Sequence, residues 1–222
     1  GLNGIVTRLD SNEDVKLTAT IARGQESRQK VFPLSVLRFL GFNIAQGREI
    51  LSYSTDTLAE PVENLVDGNL ATVWRSTTGV DSTPYAVIDL GVKQPVDGAM
   101  ISLDDNVKSY VISASNDNLN FKQIVKKNTS GLFDDITTAG ERKTLTQDIT
   151  FSPVEARYIK LEIEKTAYEG MGVRDLQLFN SSLTTEQALN YAKEILKIPY
   201  SDKIEQDISV PAEGSHGTRI TW

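Results

Sequence analysis

One stretch of the chain constrains its fold more than any other: a polar turn at residues 64–76, followed by an alternating strand at residues 85–91. In the turn, Gly68 stands between Asp67 and Asn69, and these residue types allow the backbone conformations that a sharp reversal needs. One face of the strand is apolar and holds Ala86, Ile88 and Leu90. A turn rich in oxygen donors beside a buried strand is a suitable place for a hard cation such as calcium.

The later part of the chain carries further short strands separated by turn residues. Apolar side chains alternate along two of them: Tyr110, Ile112 and Ala114, then Ile159, Leu161 and Ile163. Between these strands, the polar stretch at residues 126–146 predicts a long loop, and loops of that length are more often functional or mobile than structural. The spacing of the strands predicts an all-β protein built as an antiparallel sandwich or barrel.

Five sequence blocks, taken in order, resemble the discoidin domain, the fold shared by the C-type domains of coagulation factors and by family 32 carbohydrate-binding modules. They are a DGN-x-x-T-x-W turn, an IDLG strand, a Y-x-I-x-x-S-x-D strand, an ARY-I-x-L strand and a short last segment with an acidic residue. The blocks occupy residues 67–74, 88–91, 110–117, 156–161 and 173–179. The resemblance covers residues 42–180 and implies a discoidin-like β-sandwich, or jelly roll, over that range.

The resemblance also implies a structural calcium ion, held in such carbohydrate-binding modules by the turn and by the acidic residue of the last strand. The matching positions here are Asp67, Asn69, Thr72 and Asp175, with a backbone carbonyl from Asn64 or Leu65. The family usually has Glu where this chain has Asp175, whose side chain is shorter by one methylene. The alternative is that Asp67 and Thr72 only cap the turn through backbone hydrogen bonds.

A bound sugar generally needs an exposed aromatic ring to stack on, with polar groups around it. Galactose-binding relatives often use a set of His, Arg and Asn with an aromatic, and the discoidin-like segment contains no histidine. The candidates for ligand contact in loops are Tyr53, Phe133, Tyr168 and the neighbouring Glu169. Trp74 is expected to pack in the core instead.

Composition argues against several classes of partner and chemistry. The formal net charge of -7 disfavours nucleic acid and anionic membranes, because both attract basic surfaces. The absence of cysteine excludes disulfides, thiol catalysis and Cys-built zinc sites, and it points to a bacterial chain, since secreted eukaryotic relatives usually carry a disulfide. No apolar run approaches the roughly 18 residues of a membrane span, and no signal peptide is recognisable. We therefore expect a piece of a longer extracellular or cell-wall protein.

Motifs of common catalytic sites are not found in the sequence. The single histidine, His216, lies in a Gly/Ser-rich turn, and neither G-x-S-x-G nor H-E-x-x-H occurs. Acidic pairs such as Asp104-Asp105 could hydrolyse glycosides only at a particular carboxylate separation, and adjacent acids are usually a solvated turn. We expect this chain not to be an enzyme.

The segments on either side, residues 1–41 and 181–222, differ in character from the middle of the chain. Thr184 and Gln187 fit a capping box, which predicts one short helix near residues 184–197. The apolar face of this helix would hold Ala188, Leu189, Ala192, Ile195 and Leu196. Pro199 would end it.

The same two segments resemble bacterial Ig-like domains of Gram-positive glycosidases and surface proteins. The closing half of such a domain matches residues 4–8, 15–20 and 30–36, and the opening half matches residues 207–211 and 220–222. The two halves either complete each other within the chain or belong to successive units of an array. The first option requires the ends of the discoidin-like segment to lie close together.

Two functions are consistent with these patterns. The first is a non-catalytic carbohydrate-binding region of a large extracellular bacterial protein, with a glycoside hydrolase as the expected parent and Ig-like spacers beside it. The alternative is a surface adhesin whose discoidin loops bind a host protein or lipid. The acidic balance of the chain favours the sugar.

Overall fold

The computed structural model describes residues 13–23, 26–36, 41–77, 79, 83–133, 143–165, 170–196 and 220–221. The chain forms two compact units, Gly1–Leu40 and Gly41–Trp222. His216, Tyr168 and Glu169 lie outside the described residues, as do the Ig-like matches at residues 4–8 and 207–211.

The described part of the first unit is a hairpin of two strands, β1 (Glu13–Arg23) and β2 (Glu26–Val36). They pair antiparallel, with Val15 opposite Leu34 and Lys16 opposite Pro33. Pro33 is tolerated because each strand of a two-stranded ribbon has a free edge. Both strands are confirmed, whereas their membership of an Ig-like domain stays a prediction.

The second unit contains a sheet of eight strands. Their bounds are β3 Phe42–Asn43, β4 Glu49–Tyr53, β5 Trp74–Arg75, β6 Tyr85–Asp104, β7 Val107–Ser115, β8 Lys122–Asn128, β9 Thr144–Lys165 and β10 Gly172–Asn180. The order is β3-β10-β6-β9-β7-β8, with β4 paired to β6 and β5 paired to β10. A 3-10 helix, Val62–Val66, precedes the polar turn.

Two long strands turn this sheet into a sandwich. The antiparallel ladder between β6 and β9 is interrupted between Asp89 and Gln94 and again between Val96 and Gly98. Before the interruption β6 also pairs with β4, and after it β6 pairs with β10. Gly91, at a φ of +83°, lies in the interruption, where a backbone conformation of that sign favours glycine. The predicted discoidin-like β-sandwich is confirmed.

The core is enclosed by the two parts of the sandwich. Its largest fully buried side chains include Trp74, Tyr110, Phe179, Ile88, Leu90 and Ile159. The alternation that predicted the strands is confirmed, because Ile112 and Leu161 are also fully buried. Trp74 packs in the core as expected, and its indole Nε1 donates to the Thr55 carbonyl oxygen at 3.1 Å.

The loop within the polar stretch at residues 126–146 is shorter than the sequence predicts. Residues 126–128 belong to β8 and residues 144–146 to β9, so strand pairing extends into it from both sides. Lys126 and Lys127 are opposite Val111 and Tyr110 of β7. An edge strand accepts lysines because their side chains reach solvent.

The ends of the discoidin-like segment are neighbours. Phe42 of β3 pairs with Asn180 of β10, and Asn43 pairs with Phe179. The closeness that an inserted domain requires is therefore present, while the joining of two Ig-like halves stays a prediction.

The predicted helix is confirmed as α1, Thr185–Ile195, with its capping box. Gln187 N donates to Thr184 Oγ1 at 3.2 Å, and Thr184 N donates to Gln187 Oε1 at 2.9 Å. The predicted apolar face is partly wrong, since Leu189 is 52% exposed and Leu196 is 38% exposed. Ala188 is buried as predicted, and Tyr191, which was not predicted to be buried, is buried as well. The helix faces a polar bend of β6, where the tyrosine hydroxyl accepts a hydrogen bond from Gln94.

Within the described residues, the structure has no helix with the length and apolar character needed to cross a bilayer.

We predict that Leu161→Ala, in the middle of β9, destabilises the second unit by about 2–5 kcal/mol. Leu161 is fully buried between Ala86 and Ile112, so its truncation leaves a cavity in the core. Chemical denaturation measures the change. Leu58→Ala is the matched control, because Leu58 is fully exposed and its truncation should change stability by no more than about 0.5 kcal/mol. Equal effects of the two substitutions would contradict the core assignment.

Candidate functional site

The polar turn folds around the carboxylate of Asp67. Asp67 Oδ1 accepts a hydrogen bond from Asn69 N at 2.8 Å, and Asp67 Oδ2 lies 2.7 Å from Thr72 Oγ1. Thr72 Oγ1 is also 2.7 Å from the Asn69 carbonyl oxygen. A hydroxyl carries one hydrogen and can donate it fully to only one of these two oxygens. The turn therefore gathers three oxygen ligands in a small space.

Asn64 and Gly68 hold the turn in place. Asn64 Nδ2 donates to the Val73 carbonyl oxygen at 2.9 Å, so the side chain braces the turn. Gly68 has a φ of +76°, and a Cβ at this position would lie 2.7 Å from Gln46 Nε2. The backbone conformation thus favours the glycine of the DGN motif, and a larger residue would also have to displace the end of the Gln46 side chain.

Asp175 of β10 is fully buried beside this turn. Its Oδ2 accepts a hydrogen bond from Gln177 Nε2 at 2.7 Å, whereas its Oδ1 is buried and has no hydrogen-bond partner among the described residues. Burial raises the pKa of Asp175 to about 6; the hydrogen bond from Gln177 opposes this rise, and the nearby Asp67 carboxylate adds to it. The structure therefore brings Asp67 and Asp175 together, as the sequence blocks imply.

This donor set suits a hard cation. Two carboxylates, a hydroxyl and a carbonyl are oxygen ligands of the kind that Ca²⁺ takes, and a cation would satisfy the unpartnered Oδ1 of Asp175. Among the described residues no group of three or more Asp, Glu, His or Cys side chains converges, so neutral oxygens would have to complete the coordination.

A second polar cluster lies where β5 meets the start of β10, and we call its residues Glu60, Arg75, Asp104 and Arg174 the loop-end cluster. Arg75 Nε donates to Glu60 Oε2 at 2.6 Å, and Arg75 Nη2 donates to Asp104 Oδ2 at 3.0 Å. Arg174 Nε donates to Asp104 Oδ1 at 2.9 Å. Asp104 is fully buried and fixes both guanidinium groups.

The guanidinium of Arg75 is partly enclosed by the fold. Its side chain is 18% exposed, and Nη1 is buried without a hydrogen-bond partner among the described residues. Although burial lowers the pKa of Arg75, its hydrogen bonds to Glu60 and Asp104 outweigh that effect and raise it. The group is permanently charged and held in one orientation.

The segment that leads into β10 closes around this cluster. Met171 N donates to Ser76 Oγ at 3.1 Å, Gly172 N donates to Asn106 Oδ1 at 3.2 Å, and Asn106 Nδ2 donates to the Gly170 carbonyl oxygen. A Cβ on Gly172 would lie 2.3 Å from Asp104 Oδ2, so only glycine fits there. Tyr168 and Glu169, outside the described residues, immediately precede this segment in the sequence.

The aromatic candidates have different outcomes. Tyr53 is 43% exposed at the end of β4, and it remains a candidate for ligand contact. Phe133 is only 7% exposed and belongs to the hydrophobic core, so the expectation of an open ring in a loop is wrong. The cause is that the chain after β8 folds back over the sandwich, where burial of the ring is favourable.

The loop-end cluster was not predicted from the sequence. Asp104 stands out there only as one of a pair of adjacent acids, and Glu60, Arg75 and Arg174 belong to none of the predicted sites. The available signal was the position of Arg75 directly after the DGN-x-x-T-x-W block and of Arg174 beside the expected acidic ligand.

A family model described as the F5/8 type C domain matches residues 49–175 of the chain. No curated protein matches. Among solved structures, a mutant of chitosan-binding module 1 from a chitosanase/glucanase of Paenibacillus sp. IK-5 has a TM-score of 0.50 and 23% identity, and the match covers 63% of this chain and 99% of that one.

Two further structures have the same score. Chitosan-binding module 2 of the same Paenibacillus enzyme, in complex with chitotriose, is 24% identical with a TM-score of 0.50, and the match covers 62% of this chain and all of the module. A GH29 fucosidase of Ruminococcus gnavus, in complex with fucose, is 18% identical with a TM-score of 0.50, and the match covers 65% of this chain and 27% of the fucosidase. These likenesses show the fold.

In buffer containing a chelator, we predict that the stability difference between the natural protein and Asp175→Asn depends on pH. The folded pKa of Asp175 is about 6, above its ordinary value of 3.8, so the folded state binds the extra proton between these values. The stability contributed by this group is therefore fully present below about pH 4 and is lost as the pH rises to about 6, by at most about 3 kcal/mol. Urea unfolding of both proteins across this range measures it. A difference that does not change with pH would contradict the burial of a titrating carboxylate.

Proposed function

The chain belongs to the F5/8 type C domain family, and from that premise we propose that it is a non-catalytic carbohydrate-binding module. The observation that carries the proposal is the loop-end cluster. Its two arginines and Glu60 are partly exposed, with side-chain exposures of 18% for Arg75, 24% for Arg174 and 32% for Glu60. They present donors and an acceptor beside a fully buried anchor, Asp104.

This arrangement suits a sugar because hydroxyl groups both donate and accept hydrogen bonds. Arg75 and Arg174 would donate to ligand oxygens, and Glu60 would accept from ligand hydroxyls. The ion pairs to Asp104 hold the guanidinium groups before a ligand arrives, so little side-chain freedom is lost on binding. Tyr168 and Tyr53 remain the proposed stacking residues, and Glu169 a further polar contact.

The comparisons support a saccharide as the class of ligand. Two structures of this fold are chitosan-binding modules, and one of them holds chitotriose. The match to the fucosidase covers 27% of that enzyme, which supports the view that such a module occurs as one part of a larger glycosidase. We extend the proposal to an extracellular or cell-wall bacterial protein with a glycoside hydrolase parent and Ig-like neighbouring segments.

We also propose that Asp67, Asn69, Thr72 and Asp175 hold a structural calcium ion. The support is the buried, unpartnered Oδ1 of Asp175 next to a second carboxylate. When bound, the ion would supply positive charge to both carboxylates and pin the turn. The chain's own residues shape the turn, since Gly68 permits the reversal and the Asn64 side chain braces it.

We predict that Glu60→Gln and Arg174→Gln each weaken binding to the best glycan of an array by about tenfold or more, because each removes a charge-assisted hydrogen bond. Isothermal titration calorimetry measures the affinity, and thermal unfolding verifies that each variant is folded. Glu155→Gln is the matched control; Glu155 is exposed and pairs with Pro95 in the bend of β6, away from the cluster.

Unchanged affinity in both cluster variants would overturn the placement of the sugar site. Binding to phospholipid vesicles or to a host protein, with no glycan bound on the array, would overturn the carbohydrate proposal and favour the adhesin.

For the calcium proposal, we predict that Ca²⁺ raises the melting temperature by several degrees, because saturation at 100 times Kd stabilises the folded state by about 2.7 kcal/mol. Asp67→Asn should lose most of this increase, whereas Asp105→Asn should keep it, since Asp105 is exposed and lies outside the turn. Differential scanning calorimetry with calcium and with EDTA measures both. The same melting temperature in the two buffers for the natural protein would contradict the site.

A further inference from the structure

A groove lies between α1 and the bend of β6, and we call it the helix groove. Its volume is about 410 Å³, within the range of sites for small molecules. Arg48, Gln94, Tyr191 and Glu194 are among the residues that line it. They come from three separate places in the chain: the residue before β4, the bend of β6 and the helix.

The helix groove is separate from the loop-end cluster. Gly172, at the start of β10, pairs with Arg75, whereas Asn180, at the end of β10, lines the groove. Eight steps along a strand at about 3.3 Å each place the two regions about 26 Å apart. The residues that close the groove, Arg48 and those of α1, also lie outside the segment 49–175 that matches the F5/8 type C family.

A rigid cation forms one wall of the groove. The Arg48 guanidinium lies 4.3 Å from the centroid of the Tyr191 ring, and Gln94 Nε2 donates a hydrogen bond to the Tyr191 hydroxyl. The side chain of Arg48 is only 12% exposed, and its Nε is buried without a hydrogen-bond partner in the part of the chain that the structure describes. Arg48 thus keeps a fixed orientation and retains donor capacity.

In the groove, the charge of Arg48 is paired with the carboxylate of Glu194, which is easily displaced. Glu194 Oε2 contacts Arg48 Nη1 at 3.2 Å through a single oxygen, and the Glu194 side chain is 63% exposed. Solvent screens this pair from the side of Glu194, although Arg48 itself is largely buried. A ligand carboxylate could pair with the guanidinium through both of its oxygens, and this bidentate arrangement is the stronger one. Lys93, exposed at the rim, adds a second positive charge.

We propose that the helix groove is a second ligand site, which binds a carboxylate-bearing sugar such as a uronic acid. The ligand carboxylate pairs with Arg48 and displaces Glu194. The side-chain amides of Asn190 and Gln187, which line the groove, bond to the sugar hydroxyls. When no ligand is bound, the Glu194 carboxylate pairs with the Arg48 guanidinium in place of the ligand carboxylate.

The test is a titration of the 222-residue chain with sodium glucuronate, followed by two-dimensional NMR, with glucose as the uncharged match. We expect glucuronate to shift the amide signals of Gly91 and Asn190, and glucose to leave them unchanged. Glu194→Gln should raise the affinity for glucuronate by about two- to fivefold, because it removes the competing carboxylate. Arg48→Gln should lower it at least tenfold.

Glu186→Gln controls for the general loss of negative charge, since Glu186 lies on the same helix and does not line the groove. Glu194 is exposed, so Glu194→Gln should fold normally. The test therefore remains decisive even if Arg48→Gln does not fold. The proposal is overturned if glucuronate shifts no groove signal, or if Glu194→Gln binds no more tightly than Glu186→Gln. The amide signals of Gly91 and Asn190 report on the helix groove, about 26 Å from the loop-end cluster, so failure here is distinct from failure of the loop-end glycan site.

Discussion

The pairing of β6 with β9 holds the sandwich together, and one bidentate ion pair fixes it where both strands pass from one layer to the other. Arg157 Nε and Nη2 donate to the two oxygens of Asp89, each at 2.9 Å. Gly91 N donates to the same carboxylate at 2.8 Å. The hydrogen bonds from Arg157 lower the pKa of Asp89, although burial opposes them, so the pair remains ionised at neutral pH. Every other strand of the second unit joins this pair of strands directly or through one neighbour.

The strand β10 links the two proposed ligand regions of the discoidin-like fold. Arg174 reaches Asp104 in the loop-end cluster, while Asp175 turns into the buried space beside the Asp67 turn. A register shift lies between Val173 and Asp175, next to Arg174. Because Arg174 and Asp175 are adjacent, a single peptide unit joins the loop-end cluster to the buried carboxylate beside the turn.

The sequence blocks predicted the sandwich because each block contains residues that a particular turn or strand requires. Gly68 and Gly91 both have positive φ, and the alternating strands bury the residues expected of them. The blocks also carry long-range pairs that sequence alone does not reveal, since the Asp of IDLG meets the Arg of the ARY block. The nearness of Asp67 to Asp175 was predicted by resemblance, not by periodicity.

The loop-end cluster and the burial of Phe133 and Tyr191 depend on contacts between distant parts of the chain, which the sequence does not show. The cluster joins three strands, which carry Arg75, Asp104 and Arg174, to Glu60 in a connecting segment, and charged residues spread along a sequence are usually solvated. Phe133 was expected to be exposed because it lies in a long polar stretch, whereas its position is set by how the chain after β8 meets the core. Tyr191 was overlooked because a helical pattern of aliphatic residues does not show which face meets a polar bend.

The pairing of Phe42 with Asn180 determines how the module would respond to mechanical force. When the two attachment points of a domain are adjacent, tension along the parent chain is carried across the short contact between β3 and β10. The long ladder between β6 and β9 lies outside that path, because neither strand contains an attachment point. Tension applied at residues 42 and 180 would therefore load this short contact before the long ladder between β6 and β9.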